Sequence, residues 1–126
     1  MLPFPIVNLK RGPMRFTAER LIADVTILDL ASEQALGDMA THVANRIGDL
    51  IGEGRRKFIL NFDGVAYLDS SGLGDLAKAH KTATQEDAKL KLINVPPHVS
   101  TLLRTVNLLR FFEIVESEAE AIRGFQ

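Results

Sequence analysis

Two short apolar segments constrain this chain more than any other feature. Lys57-Phe58-Ile59-Leu60-Asn61-Phe62 is rich in the β-branched and aromatic residues that suit a pleated, buried strand, and Lys89-Leu90-Lys91-Leu92-Ile93-Asn94 reads as a second. Between them Leu73, Leu76, Ala77 and His80 recur at the i, i+3, i+4, i+7 spacing of one helical face. A strand, a helix and a second strand in that order make a crossover. Crossovers join parallel strands, keep a right hand and lay the helix against the sheet.

The remaining segments extend the same plan. Arg15-Phe16-Thr17-Ala18-Glu19-Arg20-Leu21 alternates as an outer strand with one wet face, and Val25-Thr26-Ile27-Leu28-Asp29-Leu30 is apolar on both faces. The short turn at Asp24 makes these two an antiparallel hairpin. Leu36, Met39, Val43, Ile47, Leu50 and Ile51 form the stripe of a first helix, which Gly52 and Gly54 end. The central strand should stop at an Asp63-Gly64 turn, and the second helix should run from about Ser70 to Glu86. Pro96-Pro97 opens a third helix burying Val99, Leu102, Leu103 and Val106. Leu108-Leu109 turns the chain into a last strand around Phe112-Glu113-Ile114-Val115. Ser117 with Glu120 resembles a capping box for a terminal helix ending near Arg123. The predicted order is β-β-α-β-α-β-α-β-α, an α/β fold with a mostly parallel sheet. Residues 1–13, with three prolines and no periodicity, are expected to be an arm, and 14–126 a single domain.

Composition removes several functions. The 126 residues carry 15 Lys and Arg against 16 Asp and Glu, a net charge of −1, so no global charge favours nucleic acid or an anionic membrane. There is no cysteine, which excludes disulfides, thiol catalysis and thiolate metal sites. No apolar run approaches the roughly 18 residues that cross a bilayer, and the apolar start is too short and proline-rich for a signal-peptide core. A cytoplasmic location is the default expectation.

The stretch Tyr67-Leu68-Asp69-Ser70-Ser71-Gly72-Leu73-Gly74 stands where the central strand hands over to the second helix. A helix start exposes unpaired N–H groups and the positive end of a dipole, so it can hold, or receive, a negative charge. On local grounds several readings stay open. Asp69 or Ser70 as N-cap would stabilise the helix by about 1 kcal/mol. A nucleophilic serine is disfavoured, because Leu68 stands where the Gly-x-Ser-x-Gly elbow needs glycine and no histidine is spaced as its base. A phosphoserine would add about −1.5 to −2 charge, partly neutralised by the helix start yet repelling a docked partner beside Asp69. Asp63 and Asp69 could hold Mg²⁺ in a phosphoaspartate receiver. That site needs a further acidic pair and a lysine after other strands, where this chain offers Asp29 and Asn94.

His42, His80 and His98 show no ligand spacing, and His80 falls on an apolar helical face as a core residue would. Gly72 and Gly74 match neither a phosphate loop nor a dinucleotide turn; they read as permitting close packing of the helix start. Arg55-Arg56-Lys57 reads as a solvated turn. No cofactor and no metal are expected.

From Asn61-Phe62-Asp63-Gly64-Val65-Ala66-Tyr67-Leu68 through Asp69-Ser70-Ser71-Gly72-Leu73-Gly74, the sequence resembles the signature of STAS-domain anti-sigma factor antagonists. The resemblance continues through Lys89–Asn94 with its proline pair and Leu108-Leu109-Arg110-Phe111-Phe112-Glu113-Ile114, covering roughly residues 14 to 125. It implies a single STAS-like domain with helices largely on one side of a mixed sheet. It implies a non-enzymatic binding module in bacterial transcription regulation. The unphosphorylated module binds an anti-sigma factor, often a serine kinase, and frees the sigma factor; kinase and phosphatase then set its state by partner switching. By the same resemblance Ser70 is the phosphoacceptor in preference to Ser71, and Asp69, Ser70, Ser71 and Gly72 form the partner-binding segment. The alternative is a STAS-type scaffold or accessory subunit of a signalling or lipid-transport complex, without the phosphorylation switch. One departure is the segment after the second strand, Ser32-Glu33-Gln34-Ala35-Leu36-Gly37, where the family usually carries a Gly-x-Leu turn.

Overall fold

In a computed structural model that describes residues 15–32, 39–65, 68 and 70–126, the strands join the sheet in the order in which they occur in the chain. They are β1 (Arg15–Ile22), β2 (Val25–Ser32), β3 (Lys57–Val65), β4 (Lys89–Ile93) and β5 (Glu113–Val115). β1 runs antiparallel to β2, and every later pairing is parallel. Among the described residues the helices are α1 (Met39–Gly52), α2 (Ser70–Gln85), α3 (Pro97–Thr105) and α4 (Glu118–Arg123), with a 3-10 turn at Leu109–Phe111. The expected element order holds throughout. The arm at residues 1–13, the start of the domain at Met14, and the departure at 33–37 lie outside the described residues.

The strand order determines where the helices go. Each parallel strand is added on the same side of its predecessor, so crossovers of one hand put α1, α2 and α3 on one face of the sheet. The main core lies under them. Leu28, Leu30, Phe58, Leu60, Phe62 and Leu92 from the strands meet Val43, Ile47 and Leu50 of α1, Leu76 and Ala79 of α2, and Val99 and Leu103 of α3. α4 follows the last strand and escapes this rule. It closes on the opposite face, where Val25, Ile27, Ile59 and Ile93 pack with Ala121, Ile122 and Phe125. Period-two alternation thus gives the central strands two apolar faces, each covered to a different extent.

A buried lysine secures α4. Lys91 is 5% exposed; its ammonium donates to the Ala121 carbonyl at 3.4 Å and sits 4.2 Å from the Phe125 ring centroid. Glu113 lies 3.5 Å away as its counter-ion. The C-terminal carbonyls of a helix and an aromatic face are both favourable surroundings for a cation. Ser117 caps the helix, accepting from the Glu120 N–H at 3.1 Å, as the Ser-x-x-Glu spacing anticipates.

Four readings are corrected by packing. Asp63-Gly64 is not a turn: β3 runs to Val65, with a register shift against β2 and the Asp63 N–H donating to the Asn61 side chain at 3.1 Å. A bulge absorbs the irregularity, so the strand continues. Val106 is not buried by the third helix: it stands at the C-cap of α3 and is 44% exposed. Arg55-Arg56-Lys57 is not simply solvated, because Arg56 donates to the Ile51 carbonyl at 2.9 Å, Arg55 to Thr26 at 2.8 Å and Lys57 to Asp24 at 2.7 Å. These cations satisfy carbonyls at the end of α1 and secure the β1–β2 turn. Finally, Gly74 does not serve close packing, since a Cβ there would meet nothing within 4 Å.

Candidate functional site

The C-terminal ends of the parallel strands gather the chemically active residues at one end of the sheet, the usual place for a site in such folds. There β3 leads into α2, whose first residue is Ser70 and which continues for 16 residues. The serines therefore stand in the first turn of a long helix, as expected. Leu68 is buried in the core, and Gly72 and Leu73 are buried in the following turn, so the segment is anchored on both sides of the predicted acceptor. Asp69 lies outside the described residues, as do the side chains of Ser70 and Ser71. The face of α2 that meets the core carries Leu73, Leu76, Ala79 and Ala83, while Gly74, Lys78 and Lys81 are exposed. His80 packs beside the core against Phe112 and Phe111, with ring centroids 5.2 and 5.9 Å away.

Of the carboxylates considered for a receiver, the two described ones, Asp29 and Asp63, belong to no group of three or more acidic or histidine side chains that could hold a metal ion. Asp29 belongs to the α4 face of the sheet, in register with Asn61. Arg20 grips it with two hydrogen bonds of 2.7 Å and grips Glu118 of α4 with two more, at 2.7 and 3.0 Å. Asn61 donates to Asp29 at 2.8 Å, and Asn94 donates to Asn61 at 2.9 Å. The result is a polar row, Glu118–Arg20–Asp29–Asn61–Asn94, crossing the sheet behind α2. Asp63 is exposed. Among the described residues, no group of three or more His, Asp or Glu side chains could hold a metal ion. Likewise no helix among them is long and apolar enough to cross a membrane.

Charge pairing dominates this row. The Arg20 hydrogen bonds hold the Asp29 carboxyl below the usual carboxylate range; burial opposes that shift and Asn61 adds to it. Reciprocally, Asp29 and then Glu118 raise the Arg20 guanidinium above its ordinary value. Because the folded Asp29 pKa is depressed, its contribution is present above the unfolded pKa near ~3.9 and lost as pH falls through the folded value. Asp29 is 19% and Arg20 36% exposed at the side chain, so solvent screening limits the gain. Arg20→Ala is expected to cost about 1–2 kcal/mol at pH 7. Urea unfolding at pH 7 and pH 3 checks this: the gap between wild type and variant narrows at the lower pH. Arg20 and Asn61 went unnoticed in the sequence as site residues. The available signal was polar residues, Asp29, Asn61 and Asn94, recurring near the same end of successive apolar strands.

Comparison with known proteins agrees with this geometry. The profile of the STAS domain family matches residues 20–121. A putative anti-sigma factor antagonist from Thermotoga maritima superposes with a TM-score of 0.75 at 23% identity, covering 86% of this chain and 92% of that one. The anti-sigma factor antagonist SpoIIAA in its unphosphorylated form, known also as a Bacillus cell fate determinant, gives a TM-score of 0.70 at 21% identity, covering 87% and 95%. The murine anion transporter Slc26a9 carries a similar unit: TM-score 0.63 and 18% identity over 82% of this chain but 18% of the transporter. At these identities the structural likeness is one of fold, and the profile match supplies the family. With that match running from the Arg20 clamp in β1 to Ala121 in α4, the chain belongs to the STAS domain family.

Proposed function

We propose that this protein is an anti-sigma factor antagonist: a non-enzymatic module that binds an anti-sigma factor in its unphosphorylated state and is released by phosphorylation of Ser70. The observation that carries the reading is that α2 begins at Ser70, within an Asp69-Ser70-Ser71-Gly72 segment that resembles the family signature. The likeness in fold to anti-sigma factor antagonists, SpoIIAA among them, supports it. Ser70 is the acceptor in preference to Ser71, and Asp69, Ser70, Ser71 and Gly72 contribute to the docking surface together with the exposed side of α2. The partners are an anti-sigma factor with serine kinase activity and a serine phosphatase, in the cytoplasm of a bacterial cell.

The physics of the switch is local. A phosphate on Ser70 gains from the N–H groups and dipole of the helix start, so it need not unfold the domain. Facing a docked protein, the same group brings charge, bulk and a desolvation penalty beside Asp69. Incubation with the cognate kinase, ATP and Mg²⁺ tests the assignment: mass spectrometry should find one phosphate on the wild type and none on Ser70→Ala. Equal labelling of both would place the acceptor elsewhere.

A second reading, a STAS scaffold or accessory subunit with no phosphorylation switch, is favoured by the occurrence of the fold inside a much longer transporter chain. A stable complex with a non-kinase partner, unaffected by ATP, would select it.

A further inference from the structure

We propose that the cleft between the C-terminal ends of β4 and β5 binds an alkylammonium or alkylguanidinium group. The cleft measures about 260 Å³ and is lined by Asn94, Val95, Ile114, Val115 and Glu116. Pockets for drug-sized ligands usually begin at about 300 Å³, so this one suits a single aliphatic stem with a polar head, not a nucleotide or cofactor. Val95, Ile114 and Val115 supply apolar wall for the stem, and Ile114 is 39% exposed.

The two polar residues determine what the head must be. The Asp63 N–H can only donate, and it points at Asn61 Oδ1. That fixes the Asn61 amide, with its nitrogen turned to Asp29 and its oxygen accepting from Asn94 Nδ2. The Asn94 amide is thereby oriented too: one N–H of its nitrogen is engaged with Asn61, and its side-chain oxygen has no partner among the described residues. Asn94 adopts the left-handed backbone at φ 55, which asparagine tolerates, so backbone and side chain are both held. Glu116 is exposed and forms no ion pair among the described residues. Both polar residues of the cleft therefore offer acceptors. A carboxylate or phosphate entering it would meet the like charge of Glu116. A cationic donor head satisfies both groups while its methylenes lie along the valine and isoleucine walls. A free alkylamine or guanidine, or a lysine or arginine side chain offered by another protein, carries this chemistry. The inference does not depend on the Ser70 reading.

Titration of the full ¹⁵N-labelled chain with n-butylguanidinium, with N-acetylarginine N-methylamide and with butyrate tests it. The free guanidinium should give saturable amide shifts at Asn94, Val95 and Ile114–Glu116, and butyrate none. Glu116→Gln should weaken the cation by about fivefold to tenfold, the effect of one partly screened charge-assisted contact. Saturation by the free guanidinium alone assigns the site to a small molecule, and saturation by both cations to a side chain. No saturable shift from either cation, butyrate binding as tightly, or undiminished binding to Glu116→Gln would overturn the proposal.

Discussion

Ser70→Asp should lower affinity for the anti-sigma partner by about 100-fold, since a like charge set against an interface costs several kcal/mol. Stability should not fall with it. An acidic side chain in the first turn of α2 interacts favourably with the helix dipole, by about 0.3–1 kcal/mol. The switch thus predicts a dissociation of two observables: calorimetric titration loses the partner while urea unfolding shows an unchanged or slightly raised midpoint. A phosphate, with roughly −1.5 to −2 charge against the single charge of Asp, should act more strongly still. Undiminished binding of Ser70→Asp would remove charge from the mechanism. A loss of binding accompanied by unfolding would point to disruption of the helix start instead.

Phe62→Ala should be the most destabilising simple substitution near the site, at about 3–5 kcal/mol. Phe62 is fully buried in the main core, on β3, just before the bulge that carries the chain toward α2. Truncation leaves a cavity beneath the strand that aims the serine segment. For a domain whose total stability is about 5–15 kcal/mol, that is a large share, and the urea midpoint should fall sharply. The Arg20→Ala effect, at a half-exposed pair, should be clearly smaller.

Much of this architecture was legible because the signals are periodic. The apolar strands at Lys57–Phe62 and Lys89–Asn94 and the stripe Val43, Ile47, Leu50 and Ile51 each state their own geometry, and the element order followed. The Ser117–Glu120 cap was equally readable, because it is a contact at fixed spacing. What escaped was whatever depends on two distant segments. Asp63-Gly64 carries turn residues, yet β2 on one side and the Asn61 side chain at hand keep it in the strand. The Arg55-Arg56-Lys57 run looks solvated until the end of α1 supplies carbonyls for it to bond. The polar row is harder still, because Asp29, Asn61 and Asn94 are more than thirty residues apart in succession and become neighbours through register alone. The serine segment is a different case: its local pattern fits an ordinary cap, and the resemblance to the family signature is what singles out Ser70.

The Arg20 clamp bears on how the molecule assembles. A sheet whose strands join in chain order can grow outward one crossover at a time, with each strand docking on the one made before it. Arg20 and Glu118, 98 positions apart, break that sequence, because their contact requires a nearly finished sheet with α4 already turned onto its second face. Closing such a long loop carries an entropic cost with little reward until the rest is in place. The Arg20–Glu118 half of the clamp is therefore expected to close late, after the Arg20–Asp29 half within the β1–β2 hairpin. It retards the opening of the finished domain without hastening its formation, so its value lies in kinetic persistence.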